Sequence, residues 1–137
     1  MPTIAALHDR IDQAAAAVLA DVVAWRRDLH AHPELGYEEV RTSAFLAERL
    51  RAMGYTVRTG VARTGVVGLL TGGRPGPVVA LRADMDALPV AEETGLPFAS
   101  AARGVYAGKE VGLMHACGHD FHMAMLLGAG HVLASMK

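Results

Sequence analysis

Residues 115–122 read HACGHDFH and lead directly into the apolar stretch 121–137, FHMAMLLGAGHVLASMK. The apolar stretch is hydrophobic on nearly all sides, which predicts a buried helix with His119 or Asp120 at its N-terminal end. The shorter motif brings three of the seven histidines together with the only cysteine of the chain. Cysteine sulfur and histidine nitrogen are preferred ligands of zinc and similar divalent ions. The motif therefore predicts a metal site at the start of a buried helix.

Cys117 and His119 are the two candidate metal ligands within this motif. They lie two residues apart, so they would diverge on a helix but can converge on one ion in a turning segment, which Gly118 permits. Asp120 and His122 could then hold a ligating imidazole through hydrogen bonds. The alternative is a buried, inert cysteine beside solvated histidines. The concentration of five polar candidates in eight positions favours metal binding.

A second candidate site lies in residues 81–89, LRADMDALP. We expect a strand to end just before Asp84 and Asp86, and carboxylates at such strand ends often form the sites of open α/β sheets. The two carboxylates could bind a metal or orient a ligating histidine, or they could only cap the following turn. A third strip, HAHPELGYEE (30–39), could also bind a ligand, although a helix end with exposed histidines is the favoured interpretation.

The remaining pattern predicts an α/β chain. Ala-rich composition and helical spacing of apolar residues indicate an N-terminal helix, with a break near Asp21, where an aspartate could cap a second helix. Short β-branched runs between glycines and prolines indicate strands. We expect helices over 3–31 and 42–53, strands over 55–60, 65–70 and 77–83, a hairpin turn over 71–77 and a loop over 84–100.

Composition excludes several classes of protein. The chain has 137 residues, which fits one domain, and 52% of them are hydrophobic, which argues against general disorder. The net charge of −1 gives no electrostatic reason to bind nucleic acid or an anionic membrane. A single cysteine excludes an internal disulfide, and the apolar run 14–20 is too short for a signal-peptide core or a membrane span. We therefore expect a soluble, cytoplasmic protein.

With these motifs in place, the chain resembles the M20 peptidase family, in the branch of hippurate hydrolases, N-acyl-amino-acid amidohydrolases and plant auxin-conjugate hydrolases. The resemblance covers residues 22–137 and is carried by three stretches in the family's order: RRDLHAHPELGYEE (26–39), ALRADMDALPV (80–90) and GLMHACGHDFHMAMLLGAG (112–130). It implies an α/β fold, namely the N-terminal part of a zinc-peptidase-like catalytic domain. Its mixed sheet would be flanked by helices and would be incomplete in this chain.

The resemblance also implies a chemistry. Members hold two divalent metal ions, zinc or manganese, with cobalt or nickel also possible, and hydrolyse amide bonds of N-acyl amino acids with a metal-activated water. By position, Cys117 and His119 match metal ligands, and Asp86 matches an aspartate that orients a ligating histidine. Asp84 stands where related branches carry a ligating histidine, and it is assigned a supporting role. The remaining motif residues are assigned supporting roles: His115, Asp120 and His122.

Several parts of the family's machinery are expected to lie beyond this sequence. These are the general-base glutamate of a Glu-Glu pair, further metal-binding histidines, and a dimerisation and lid domain. Glu38-Glu39 and Glu92-Glu93 fall in the wrong motifs for that base. We therefore expect residues 1–137 to be a partial catalytic domain, with 1–20 as a helical extension, and an inactive fragment of an enzyme that is a homodimer at full length. The alternative is a small, non-catalytic metal-binding or interaction domain.

Overall fold

The computed structural model describes residues 3–137 and contains three helices and two small antiparallel sheets. In chain order the elements are α1 (Ile4–Ala31), α2 (Val40–Ala52), β1 (Thr56–Val61), β2 (Gly65–Leu69), β3 (Arg103–Tyr106), β4 (Lys109–Gly112) and α3 (His119–Met136). β1 pairs with β2, and β3 pairs with β4. The predicted α/β class is confirmed.

Helix α1 runs for 28 residues without interruption, so the predicted break near Asp21 is wrong. The Asp21 residue is exposed, and a solvated aspartate inside an Ala-rich helix costs only a few tenths of a kcal/mol (~0.5). The helix begins after Thr3, whose hydroxyl oxygen accepts a hydrogen bond from the Ala6 N–H at 3.2 Å. It ends at Ala31, because Pro33 disfavours helical geometry at the residue before it.

Helix α2 ends in a Schellman motif at the glycine that the sequence indicated. Gly54 has a φ of 84°, in the left-handed region that glycine adopts without steric cost. The Gly54 N–H donates to the Arg51 carbonyl at 2.9 Å, and the Tyr55 N–H donates to the Leu50 carbonyl at 3.0 Å. The chain then turns directly into β1.

The core lies between the three helices. Its buried side chains are Leu29, Phe45, Leu46, Met123 and Leu127. Helices α1 and α3 approach closely at Gly128, where an added Cβ would lie 2.7 Å from a methyl group of Val22. Helix α3 is buried on this side only. Its other face leaves three large side chains about half exposed: Phe121, Met125 and Leu133.

The predicted strand over 77–83 is wrong, and so is the hairpin turn over 71–77. Residues 62–64 connect the hairpin of β1 and β2 instead. Within the described part of the chain, residues 77–83 pair with no strand, and Val78 and Val79 are 91% and 77% exposed. A β-branched run becomes a strand only when a neighbour supplies the hydrogen bonds.

The hairpin of β3 and β4 was not predicted from the sequence. Its two-residue loop is Ala107-Gly108, with φ values of 50° and 76°. Positive φ at both loop residues is typical of the type I′ turns that join antiparallel strands. Gly108 was the available signal, but the flanking residues do not alternate clearly. Among the helices of residues 3–137, none has the length and apolar character needed to cross a membrane.

Candidate metal centre

The structure brings the two central motifs together. Leu88 and Met114 exchange backbone hydrogen bonds of 2.9 and 3.1 Å, which fixes the segment after Asp86 against the approach to the HACGHDFH motif. The motif then turns at Gly118, whose φ of 81° lies in the left-handed region, and α3 starts at the next residue. Two stretches that lie about 30 residues apart in the chain therefore meet at the N-terminus of α3.

His119 is held by Asp86 through one ring nitrogen. Its Nδ1 lies 2.8 Å from the Asp86 carbonyl oxygen and 3.1 Å from an oxygen of the Asp86 carboxylate. Both oxygens only accept hydrogen bonds, so Nδ1 carries the proton and donates it. In the neutral ring the lone pair then belongs to Nε2. Metal-ligating histidines are commonly oriented in this way, with the second nitrogen bound to a carboxylate or carbonyl.

Cys117 and His122 complete the exposed part of the motif. Cys117 is a free, exposed thiol one residue before the turn at Gly118. The His122 residue is exposed as well, and the centre of its ring lies 6.1 Å from that of His119. The motif thus offers soft sulfur and imidazole nitrogen within a few residues of the chain turn, in a donor set that suits zinc and related ions.

Asp120 lies in a different cluster from the one that the sequence suggested. Its carboxylate is fully buried and contacts α1, where the His30 Nδ1 lies 2.7 Å away and the Arg26 Nε lies 2.8 Å away. The prediction of exposed histidines at the end of α1 is wrong for His30, which is only 3% exposed, because α3 packs over it. The side chain of His32 is about half exposed, as expected.

The second nitrogen of His30 meets a carboxylate from the predicted loop. Its Nε2 lies 3.0 Å from an oxygen of Glu92, whose side chain is fully covered. Burial raises the pKa of Glu92, but hydrogen bonds from the Thr94 hydroxyl, the Ser100 backbone N–H and His30 outweigh it. The pKa of Glu92 therefore lies below its ordinary value. Glu92 is ionised, and its carboxylate binds His30 of α1 rather than Cys117 or His119.

His115 and Asp84 occupy contrasting positions. His115 is 3% exposed, and neither ring nitrogen has a hydrogen-bond partner among residues 3–137. Burial lowers the pKa of His115, so the ring is neutral. Asp84 is exposed and accepts a hydrogen bond from the Arg82 guanidinium at 2.8 Å, which lowers its pKa. Asp84 is thus engaged on the surface, where the charges of His119 and His122 also lower its pKa.

The described residues, 3 to 137, contain no group of three or more His, Cys, Asp or Glu side chains arranged to hold a metal ion. Cys117 and His119 therefore have the right chemistry as a pair, with Asp86 behind His119. A tetrahedral site needs four ligands, so a firmly held ion requires further donors.

Comparison with known proteins identifies the family that this chain is similar to. Residues 80–137 match the family model described as Peptidase family M20/M25/M40. The chain is 48% identical over 120 residues to an N-acyl-L-amino acid amidohydrolase of Geobacillus stearothermophilus. That match covers 88% of this chain and 30% of the relative, so the chain spans about a third of the relative's length.

Two solved structures share the fold. One is a Bacillus subtilis protein described as a dinuclear metal binding peptidase from the M20 family, with a TM-score of 0.78 and 40% identity over 89% of this chain. The other is a putative aminohydrolase from methicillin-resistant Staphylococcus aureus, with a TM-score of 0.83 and 38% identity over 93% of this chain. In both cases this chain covers 32% of the solved chain.

Proposed function

We propose that this chain is the N-terminal part of an M20-family metallopeptidase or amidohydrolase, in which Cys117 and His119 are ligands of a divalent-metal site that hydrolyses amide bonds. One observation carries the proposal. Asp86 binds the Nδ1 of His119 through both its carbonyl and its carboxylate oxygen, which leaves Nε2 as the free donor. Such a contact fixes the tautomer that a metal-ligating histidine requires.

The donor set fits a divalent ion. Cysteine sulfur and imidazole nitrogen favour zinc, although manganese, cobalt and nickel also bind mixed sites. When bound, such ions supply Lewis-acid polarisation of a carbonyl group and a lower pKa for bound water. We propose two ions per site, by analogy with the solved Bacillus subtilis relative, which is described as dinuclear.

The other motif residues act behind these ligands. Asp86 fixes the ring orientation and tautomer of His119. His115 and Asp120 support the motif from its buried side, and His122 flanks it from the exposed side. Asp84 is not proposed as a metal ligand, because Arg82 already binds its carboxylate.

The substrate class follows from the relatives. We propose small N-acyl amino acids, as the name of the Geobacillus relative implies for that protein. Residues 1–137 would form a partial catalytic domain, with 1–20 as an extension, and the general base and remaining ligands would come from the portion that the longer relatives contain. We therefore expect no measurable hydrolysis from these 137 residues alone. Amidase turnover that survives stringent purification and is lost in Cys117→Ala would contradict this expectation.

Cobalt titration tests the metal site directly. Adding Co²⁺ to the chain should produce a thiolate-to-cobalt absorption band with weak affinity, because only two protein donors are proposed. Cys117→Ser should abolish the band, and His119→Ala should weaken binding at least about tenfold. His131→Ala, which removes an exposed histidine further along α3, is the matched control and should change nothing. Cobalt binding that is insensitive to Cys117→Ser, or no binding at all, would contradict the proposal.

A further inference from the structure

Four charged side chains, three of them buried and that of Arg26 18% exposed, meet behind the candidate metal centre. This four-charge cluster consists of Arg26 and His30 from α1, Asp120 from α3 and Glu92 from the loop before β3. The side chains of Asp120 and Glu92 are 0% exposed, and that of His30 is 4% exposed. Burying charges is costly unless each is paired, so the pairing in this cluster is informative.

Each ring nitrogen of His30 faces a carboxylate. Its Nδ1 lies 2.7 Å from Asp120, and its Nε2 lies 3.0 Å from Glu92. A carboxylate only accepts hydrogen bonds, so each ring nitrogen must carry a proton. The Arg26 Nη2 lies 3.3 Å from the same Nδ1, a longer contact that would need an unprotonated nitrogen. The contact to Asp120 is the shorter of the two, so with both carboxylates ionised each ring nitrogen donates and His30 is an imidazolium cation.

Two cations then balance two anions within the cluster. Arg26 and His30 carry the positive charges, and Asp120 and Glu92 carry the negative ones. His115 is a further titratable neighbour, which burial keeps neutral, and the Arg27 guanidinium lies 5.2 Å from the centre of the Phe98 ring. Removing the charge of His30 would leave two buried carboxylates with one cation. Breaking a buried pair in this way is strongly unfavourable, because it leaves a charge without compensation.

The cluster also connects three separate parts of the chain. Glu92 accepts a hydrogen bond from the Ser100 backbone N–H at 2.6 Å, which closes residues 92–100 into one loop. Phe98 from the same loop packs edge-on against His30, with ring centres 5.7 Å apart, and lies 5.1 Å below the Arg26 guanidinium. Asp120 directly follows His119 in the first turn of α3.

We propose that His30 is a positioning residue of the metal centre: as an imidazolium between Glu92 and Asp120, it anchors the loop 92–100 and the N-terminus of α3 to α1. The orientation of His119 then has two supports. Asp86 fixes its ring, and Asp120, through His30 and Arg26, fixes the backbone that carries it. The part of this inference that concerns the metal rests on the proposed function, whereas the anchoring of the loop stands independently.

The charge state can be measured in the wild-type chain. Two-dimensional ¹H–¹⁵N spectra of the histidine side chains distinguish a ring with two protonated nitrogens from a neutral ring with one. We expect His30 to show two protonated nitrogens at neutral pH and His115 to be neutral. A neutral His30 would overturn the proposal.

Hydrogen exchange tests the anchoring with matched variants. His30→Gln should raise amide exchange in residues 92–100 and in the first turn of α3 at least about tenfold, because one buried carboxylate loses its partner. His32→Gln removes a half-exposed histidine from the same helix end and should leave exchange unchanged. The double variant His30→Gln with Glu92→Gln restores the charge balance, so its exchange should return to within about threefold of Glu92→Gln alone.

The double variant separates electrostatic anchoring from simple packing. If the imidazole ring of His30 only fills space, neutralising Glu92 cannot restore the protection from hydrogen exchange that is lost with the ring. Absence of recovery, or unchanged exchange in His30→Gln, would therefore overturn the proposal. The same comparison remains decisive if His30→Gln alone folds poorly, because the double variant carries no unpaired buried charge.

Cobalt binding tests the connection to the metal. His30→Gln should weaken Co²⁺ affinity about tenfold, as removal of outer groups around metal ligands commonly does, and His32→Gln should not. If the wild-type chain binds cobalt and His30→Gln binds it equally well, the metal part of this inference fails alone. If the wild-type chain shows no binding that depends on Cys117, the proposed function fails, and the exchange data decide the anchoring.

Discussion

His119 and Asp86 show how one side chain can be prepared for a ligand by another. The imidazole would otherwise rotate and exchange its proton between two nitrogens, and either freedom lowers the population that can bind an ion. Two acceptors from a single residue remove both freedoms at Nδ1. Asp86 therefore matters through its carboxylate and its backbone together.

The carboxylate contribution can be isolated by mutation. Asp86→Ala removes the oxygen 3.1 Å from Nδ1 but keeps the backbone carbonyl at 2.8 Å. We expect Zn²⁺ or Co²⁺ affinity to fall about tenfold, measured by titration, with little change in fold. Asp12→Ala is the matched control, because Asp12 is exposed near the N-terminal end of α1. Equal losses in both variants would show a general charge effect in place of a specific contact.

At this scale the sequence predicted the motif residues better than their partners. The spacing of Cys117 and His119 around a glycine indicated a pair of ligands. Asp86 was also identified from the sequence alone. His30 was misread, because its partners Glu92 and Asp120 lie 62 and 90 residues away along the chain. Those contacts form only because α1 packs against α3, and the sequence around His30 gives no local signal for that packing.

At the scale of elements, the strip HPELGYEE acts as a helix start. The N-cap residue of α2, Glu39, makes no side-chain capping bond. The two carboxylate oxygens of Glu34 replace it, accepting hydrogen bonds from the backbone N–H groups of Arg41 and Thr42 at 2.9 and 2.7 Å. An anion at a helix N-terminus also interacts favourably with the helix dipole.

This contact predicts a measurable loss of stability. Glu34→Ala leaves two helix N–H groups without an acceptor and should lower the free energy of unfolding by about 1–2 kcal/mol. Urea denaturation followed by circular dichroism measures it. Glu38→Ala is the control, since Glu38 is exposed and makes no side-chain hydrogen bond among the described residues. A loss of similar size in the control would mean that charge, and not capping, stabilises α2.

The predicted elements succeeded where the signal was local and failed where it depended on a partner. Helix α2 and its end at Gly54 follow from spacing and from the needs of a left-handed residue. The run 77–83 has the composition of a strand but no strand beside it in the described chain. Composition therefore indicates that this segment can form a strand, but it forms one only when a neighbouring strand pairs with it.

For the molecule as a whole, the exposed apolar surface is the feature that most favours self-association. Val78, Val79 and Leu81 are 91%, 77% and 57% exposed, and Met125 of α3 is 54% exposed. Leu81 and Met125 line the same open groove. Exposed apolar surface of this extent commonly mediates association.

We expect the 137-residue chain to self-associate with rising concentration, and Val79→Lys to reduce that association. Unfolding free energy should change little, by no more than about 0.5 kcal/mol, because the side chain is exposed. Sedimentation velocity measures the association. Thr71→Lys adds the same charge at an exposed position outside the run 77–83 and controls for net charge. Equal reductions in both variants would point to charge repulsion and not to apolar contact.

The bond between His30 and Asp120 has a consequence for the order in which the nascent chain can fold. α1 leaves the ribosome before α3, and the carboxylate that contacts His30 is synthesised 90 residues later. Until then the apolar side of α1, including Leu29, has no α3 to cover it, and closing so long a loop is slow relative to local helix formation. The segment with Cys117 and His119 can thus reach its folded position only after α3 has been synthesised and packs on α1.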